Sequence, residues 1–226
     1  MRSAVVRRDG AEVVDLLTRE RWPDHSLQLI GDGLAAALAD DLPGAVDLAR
    51  RCIAELRERG WWGDVDLAEA LDARLGSVPA RLLRPLLVDL EELASILEGD
   101  PVHGGGRIDL TNGEVWHQSS IEYAEEVGEL DPDEGDDPER WLAVACEGSR
   151  DGYRDMEDFI ALVDDDRLAG RLEVAIAGRG AFRRFKDVLW DQPEPLTQWH
   201  AFSDDRHRGR ARAWLAEQGY TPSQGR

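Results

Sequence analysis

The sequence predicts an α+β fold: a small antiparallel sheet, two or three strands around an Asn-Gly hairpin, packed with a mainly helical chain. Three observations carry that expectation. Apolar residues recur at three- and four-residue spacing along most of the chain, the period of a helix buried on one face. Residues 107–117 alternate apolar and polar side chains around Asn112-Gly113, a dipeptide preferred in tight hairpin turns. A second alternating stretch, residues 141–146, supplies a third strand. So few strands are not stable alone in water and need helices over them.

The first region, residues 1–80, reads as helical. Val13, Leu16 and Leu17 mark one amphipathic turn, and Leu27, Ile30, Leu34 and Leu38 a second helix. Val46, Ala49, Ile53 and Leu56 mark a third, stopped at Gly60, where a left-handed residue ends a helix without steric cost. Asp64 is placed to cap a fourth helix carrying Leu67, Leu71 and Leu75, closed by Gly76.

The α+β region is residues 81–226. Residues 86–88 suit a short strand, and Asp89 with Glu92 resembles a capping box before a helix bearing Leu93, Ile96 and Leu97. Pro101 and a glycine-rich loop lead into the hairpin. A two-residue turn with positive φ at both positions sets Leu110 opposite Val115 and Ile108 opposite His117, on a mainly apolar face. Asp109 and Trp116 share the other face. An acidic loop, residues 129–139, precedes the third strand, on which Leu142, Val144 and Cys146 share one side. Three helices follow. Tyr153, Met156, Ile160 and Val163 line the first; Leu168, Leu172 and Ile176 the next, stopped at Gly178; Phe182, Phe185 and Leu189 the third. Pro193 and Pro195 interrupt the chain, and a final helix carries Ala211, Trp214 and Leu215 before Gly219.

Composition narrows the function. With 226 residues the chain can bury a real core in one or two domains, and 33% charged against 42% hydrophobic residues is globular rather than disordered. A net charge of -20 repels nucleic acid and anionic membrane, so polyanion binding requires a local exception. Cys52 and Cys146 lie far apart, outside any CxxC pair, and read as buried thiols of a reducing compartment. The first residues lack an apolar signal core, and no apolar run reaches the roughly 18 residues of a membrane span. The expected location is cytoplasmic.

Several separated motifs resemble one family. They are the hairpin Ile108-Asp109-Leu110-Thr111-Asn112-Gly113-Glu114-Val115, the segment Gly152-Tyr153-Arg154-Asp155-Met156-Glu157-Asp158-Phe159-Ile160, and residues 178–189 and 199–215. Their order is similar to that of a bacterial uncharacterised family, UPF0158, over roughly residues 82–220. One departure is the turn, Thr-Asn-Gly here against Thr-Gly in the family pattern. The resemblance implies a small cytoplasmic α+β domain without an established activity, so no family catalytic residue carries over. Residues 1–80 lie outside it.

The densest chemistry is in residues 178–190, which hold the only lysine among 27 cationic side chains. On a helix Arg183, Lys186 and Trp190 share a strip, with Arg184 further round and Arg179 in the glycine-flanked turn before it. Two cations beside an indole can grip an oxyanion or stack a base, and the Gly-Arg-Gly turn lets backbone N–H groups approach an anion. The competing account is that the glycines divide two helices while the cations pair with Asp187, Asp191 or the acidic loop. The candidate partner- or ligand-binding residues are thus Arg179, Arg183, Arg184, Lys186 and Trp190.

Other clusters read as structural. Arg206, Arg208, Arg210 and Arg212 alternate sides of a helix after Asp204-Asp205, the pattern of a solvated, locally paired face. Asp155, Glu157 and Asp158, and likewise Asp164, Asp165 and Asp166, spread around or end helices rather than converge on a hard cation. His117 is expected as a hydrogen-bonded core residue; a zinc set of His103, His117 and Cys146 has no supporting spacing. Of Trp61-Trp62, one indole is expected to cover a seam. Residues 67–98 with the hairpin can mimic a winged helix-turn-helix, with Arg74, Arg81 and Arg84 in support and the net charge against. No phosphate loop, dinucleotide fingerprint or nucleophile elbow is present. No catalytic residue, metal ligand or cofactor is assigned. The expected function is a non-catalytic regulatory or adaptor-like protein that binds an unidentified protein partner through the basic-aromatic helix. Nucleic-acid or nucleotide binding through the same surface is the alternative, a metal-dependent hydrolase the third reading, and no membrane partner is expected.

Overall fold

A computed structural model describes residues 1–79, 81–99, 104–129 and 137–223; His103 and most of the acidic loop lie outside them. The architecture is α+β. Five helices come first: α1 (Arg2–Val6), α2 (Gly10–Arg19), α3 (Leu27–Ala39), α4 (Ala45–Arg59) and α5 (Asp64–Arg74). Their apolar stripes meet in one core around Ile30, Leu34, Leu56, Leu67 and Leu71. Gly60, at φ 65°, ends α4 as expected. Asp64 does not cap α5. The preceding Gly63 holds the cap position, and Asp64 is fully buried in a charge network described below.

The rest of the chain is β1 (Arg84–Leu86), α6 (Leu90–Leu97), β2 (Gly106–Asp109), β3 (Val115–His117), α7 (Gln118–Glu126), β4 (Trp141–Val144), α8 (Arg150–Ile160), α9 (Asp166–Ile176), α10 (Ala181–Leu189), α11 (Pro193–Glu217) and β5 (Tyr220–Pro222). The sheet has the order β3-β2-β4, antiparallel throughout. A separate parallel pair joins β1 to β5, so the strand forms at residues 84–86, two positions earlier than the apolar run suggests. Asp89 caps α6, accepting from the N–H groups of Glu91 and Glu92.

The hairpin differs from expectation. Ile108 pairs with Val115, not His117, and Gly106 pairs with His117. The closing hydrogen bond runs from Asp109 N–H to Glu114 O, leaving four loop residues, 110–113. Buried Asp109 draws the turn: its carboxylate accepts from Thr111 N–H at 2.8 Å and from Arg140 Nε at 3.2 Å. Of the turn dipeptide only Gly113 has positive φ, 81°. A Cβ there would also lie 1.7 Å from Leu87 O, so two constraints demand glycine. Because the slip is two residues, the faces survive: Ile108, Val115 and His117 stay on one side. His117 nonetheless is exposed at the sheet end, against Ser95 Oγ at 3.2 Å, and is no core residue.

α11 is one helix of 25 residues, roughly 37 Å long. Pro193 and Pro195 do not interrupt it; they sit in its first turn, where no intrahelical N–H is required. Its first half supplies Trp199 and Phe202 to a core with Met156, Phe159, Leu172, Phe185 and Leu189. Its second half supplies Ala211 and Leu215 to a core with α6, Ile108 and Val144. α5 and α6 thus belong to different cores, unlike the paired helices of a helix-turn-helix.

Where α11 crosses the α4–α5 corner, backbones touch. A Cβ on Gly209 would lie 2.2 Å from Trp62 O, and one on Gly63 2.2 Å from Gly209 O. Gly209→Ala is therefore expected to lose about 3 kcal/mol, the upper range of overpacking, because backbone rather than a side chain must move. Urea midpoints check this; a loss below about 1 kcal/mol contradicts the seating of α11 at that corner.

Candidate functional site

α10 is set by the two glycines flanking Arg179: Gly178 (φ 84°) follows α9 and Gly180 (φ 75°) opens α10. Phe185 and Leu189 are fully buried, and α10 is thereby pinned with its opposite face outward. That face carries Lys186, Trp190, Arg183 and Asp187 side by side. Trp190 is 77% exposed. Arg183 reaches Asp187 only at 3.9 Å, with both side chains in solvent, a contact of little energetic weight. Arg179 and Lys186 are exposed without a partner among the described residues.

Arg184 leaves the group. Its Nε–H donates to Ala175 O at 2.9 Å and its Nη2–H to Ala177 O at 2.7 Å and Gly178 O at 3.3 Å. These carbonyls end α9, so Arg184 closes that helix instead of facing a partner. Phe182 is only partly covered, over Gly152, and lies at the edge of the core. Sequence reasoning missed Val174 of α9, 76% exposed beside Val188 in the groove between α9 and α10. The available signal was an apolar residue off the Leu168–Leu172–Ile176 stripe.

The second basic cluster is not a solvated face. Arg212 is buried and the other three are partly buried, each paired with carboxylates from elements far away in sequence. Arg206 and Arg210 converge on Asp155 of α8, with Arg206 Nε to Oδ1 at 2.7 Å and Arg210 Nη2 to Oδ2 at 2.7 Å. Arg210 also holds Glu98 at the end of α6. Arg208 and Arg212 converge on Asp32 of α3 at 3.2 and 2.6 Å, and Arg208 also meets Glu91. Each pair is four residues apart, so the two pairs point to different neighbours of α11.

Asp205 extends the network. It accepts from Gln28 N–H at 2.7 Å and pairs with Arg59. Arg59 donates twice to Asp64, which also accepts from Gln28 Nε2 at 2.8 Å and Trp61 N–H at 2.9 Å. The guanidiniums of Arg59 and Arg206 both lie over the Trp61 ring, 4.2 and 4.8 Å from its centroid, and the ring meets Phe202 edge-on. Trp61 is thus the seam indole, and Trp62 faces solvent. Asp155, expected as a surface acid, is fully buried, and Asp165 caps α9. Cys52 is buried, its thiol pKa pushed up by desolvation, whereas Cys146 is only half-buried. Among the described residues no three His, Cys, Asp or Glu side chains converge as for a metal.

The model of the uncharacterised protein family UPF0158 matches residues 83–224, and the chain belongs to that family. The UPF0158 protein PA5073 of Pseudomonas aeruginosa is 28% identical over 141 residues, 62% of this chain and 89% of that protein. No solved structure matches.

Asp155→Ala leaves two partly buried guanidiniums without their shared acceptor. A loss of about 3–5 kcal/mol is expected in urea unfolding, against less than about 1 kcal/mol for Asp158→Ala on the exposed side of Arg206. Acid titration provides a second check. Burial alone would raise the Glu98 carboxyl, but His207 and Arg210 outweigh it and hold it below its ordinary 4.5. Its contribution is complete above pH 4.5 and lost as pH falls further. His25 is pushed below its ordinary 6.5 by burial, with Arg59 assisting and Asp24 and Asp205 opposing. The neutral ring is favoured, so stability is complete above pH 6.5 and declines below it. His25→Gln should remove that first decline and retain the steeper loss in acid.

Proposed function

We propose that this UPF0158 member is a non-catalytic, cytoplasmic interaction protein of regulatory or adaptor type. Its contact surface is the outer face of α10 with the neighbouring groove of α9. The observation that carries the reading is Trp190, 77% exposed at the end of the strip that carries Arg183 and Lys186, on an anionic molecule. An exposed indole on a rigid helix is the side chain most often decisive at an interface, and flanking cations set orientation and encounter rate. Val174 extends the apolar surface, so the matching partner presents an apolar side chain flanked by carboxylates.

What the interior charges do supports the same reading. Asp32, Asp64, Asp155 and Asp205, the acids most removed from solvent near α11, all neutralise arginines that join helices. They are committed to architecture. Arg183, Lys186 and Arg179, by contrast, join no elements among the described residues. Two free cysteines, one half-buried, suit a reducing compartment and support the cytoplasmic placement. No helix of the described residues is long and apolar enough to cross a membrane.

Tagged full-length protein should retain a partner that Trp190→Ala weakens by about thirtyfold or more, the effect of losing a hot-spot residue worth about 2 kcal/mol. Arg183→Glu with Lys186→Glu should abolish capture. Retention unchanged by both variants removes this surface. A retained species whose binding falls steeply with salt, with nucleic acid recovered in it, replaces the protein-partner reading with polyanion binding.

A further inference from the structure

We propose that the cavity between the N-terminal helices and the end of α11 binds a small anionic molecule with an apolar body, anchored by Arg74. The site is separate from α10 and independent of the reading above. Two adjoining hollows, of about 590 and 290 Å³, share Ala70, Arg74, Arg212, Thr221 and Pro222 among their lining residues. Arg74 therefore stands where they meet. Junctions between packed units are where small-molecule sites are commonly found, and their volumes are of this order.

Charge pairing singles out this residue. Arg59, Arg206, Arg208, Arg210 and Arg212 of the same seam are each held by at least one carboxylate. Arg74 makes no ion pair among the described residues. Its one hydrogen bond runs from Nη1–H to Ala70 O of its own helix, at 3.2 Å. Of the nearby acids, Asp32 accepts from Arg208 and Arg212 and Asp66 pairs with Arg81 at 2.7 Å, while Glu69 lies 3.4 Å from Arg81 with its Oε2 lacking a hydrogen bond among the described residues. Burial disfavours the charged guanidinium of Arg74, Arg212 adds to that repulsion and Asp32 opposes it. A solvent-reachable cation standing where two hollows meet, beside the second cation Arg212 and in a molecule with a large excess of carboxylates, gains from an anion that reaches it.

The surrounding wall indicates the rest of the ligand. The smaller hollow is faced by Leu83, Pro85, Ala216 and Pro222, with Thr221 common to both hollows and Asp66, Glu69 and Arg81 also in its wall. Apolar walls leading to a guanidinium suit a carboxylate carrying a short hydrocarbon chain better than a bare inorganic anion. The net charge of -20 opposes long-range steering, so affinity rests on these short-range contacts.

Calorimetry and thermal melting on the full chain test this with hexanoate, hexanol and inorganic phosphate. Hexanoate is expected to bind and to raise Tm with dose, while hexanol and phosphate bind at least tenfold more weakly. Arg74→Met keeps the apolar stem and should weaken hexanoate at least tenfold, and Arg74→Lys should restore part of the loss. Equal binding of hexanol shows an apolar cleft without an anion anchor; equal binding of phosphate shows charge attraction alone. Either result overturns the proposal, as does hexanoate binding unchanged in Arg74→Met or absent from the wild type. The three-probe comparison on the wild type decides the matter even if Arg74→Met folds poorly.

Discussion

The structure depends on one arrangement: α11 carries four arginines inward, in two pairs that grip different carboxylates. Arg206 and Arg210 hold Asp155, while Arg208 and Arg212 hold Asp32. Burying such charges costs more than a hydrophobic contact of equal size, and the gain is directional. A leucine seam tolerates sliding; guanidinium forks meeting carboxylates do not. The rotation of α11 about its axis is thereby determined, and Gly209 completes the constraint by letting the backbone of the α4–α5 corner close on the helix. Three cores that share little else are brought into register by this one rod.

What could be read from residues alone follows the range of the interactions. Helices on three- and four-residue spacing formed where expected, because each needs only its own stripe. The hairpin formed with the right faces and the wrong partners. Strand parity is a local property, but the turn was decided by the Asp109 carboxylate, and its bond to Arg140 spans 31 residues. Pro193 and Pro195 were read as breaks because proline in a helix interior is disruptive; at a helix start the same chemistry is harmless. The arginines of α11 depart furthest from what their spacing suggests. Asp32 and Arg212 are 180 residues apart, and nothing near either one marks the other. The four-residue spacing of each pair was visible, yet it became informative only beside the matching acids.

The α10 surface shows the complementary lesson. Five residues chosen for type and proximity separate by role. Arg184 is spent on the carbonyls that end α9, whereas Arg183, Lys186 and Trp190 share an outward strip and Arg179 sits in the turn. A side chain's chemistry was legible; its prior commitments were not. Cations bound to backbone or carboxylate serve the fold, and those left over are available to something else.

The small parallel pairing of β1 with β5 has a consequence of its own. Residues 84–86 lie against residues 220–222, so the family-matched stretch departs and returns at one point in space. It is closed like a ring with a clasp. Whatever polypeptide is attached ahead of the clasp needs no threading through the ring, and swapping one attachment for another leaves the topology intact. A new attachment would have to offer acids to Arg208 and Arg212, as Asp32 does in this chain, and a backbone able to close on Gly209.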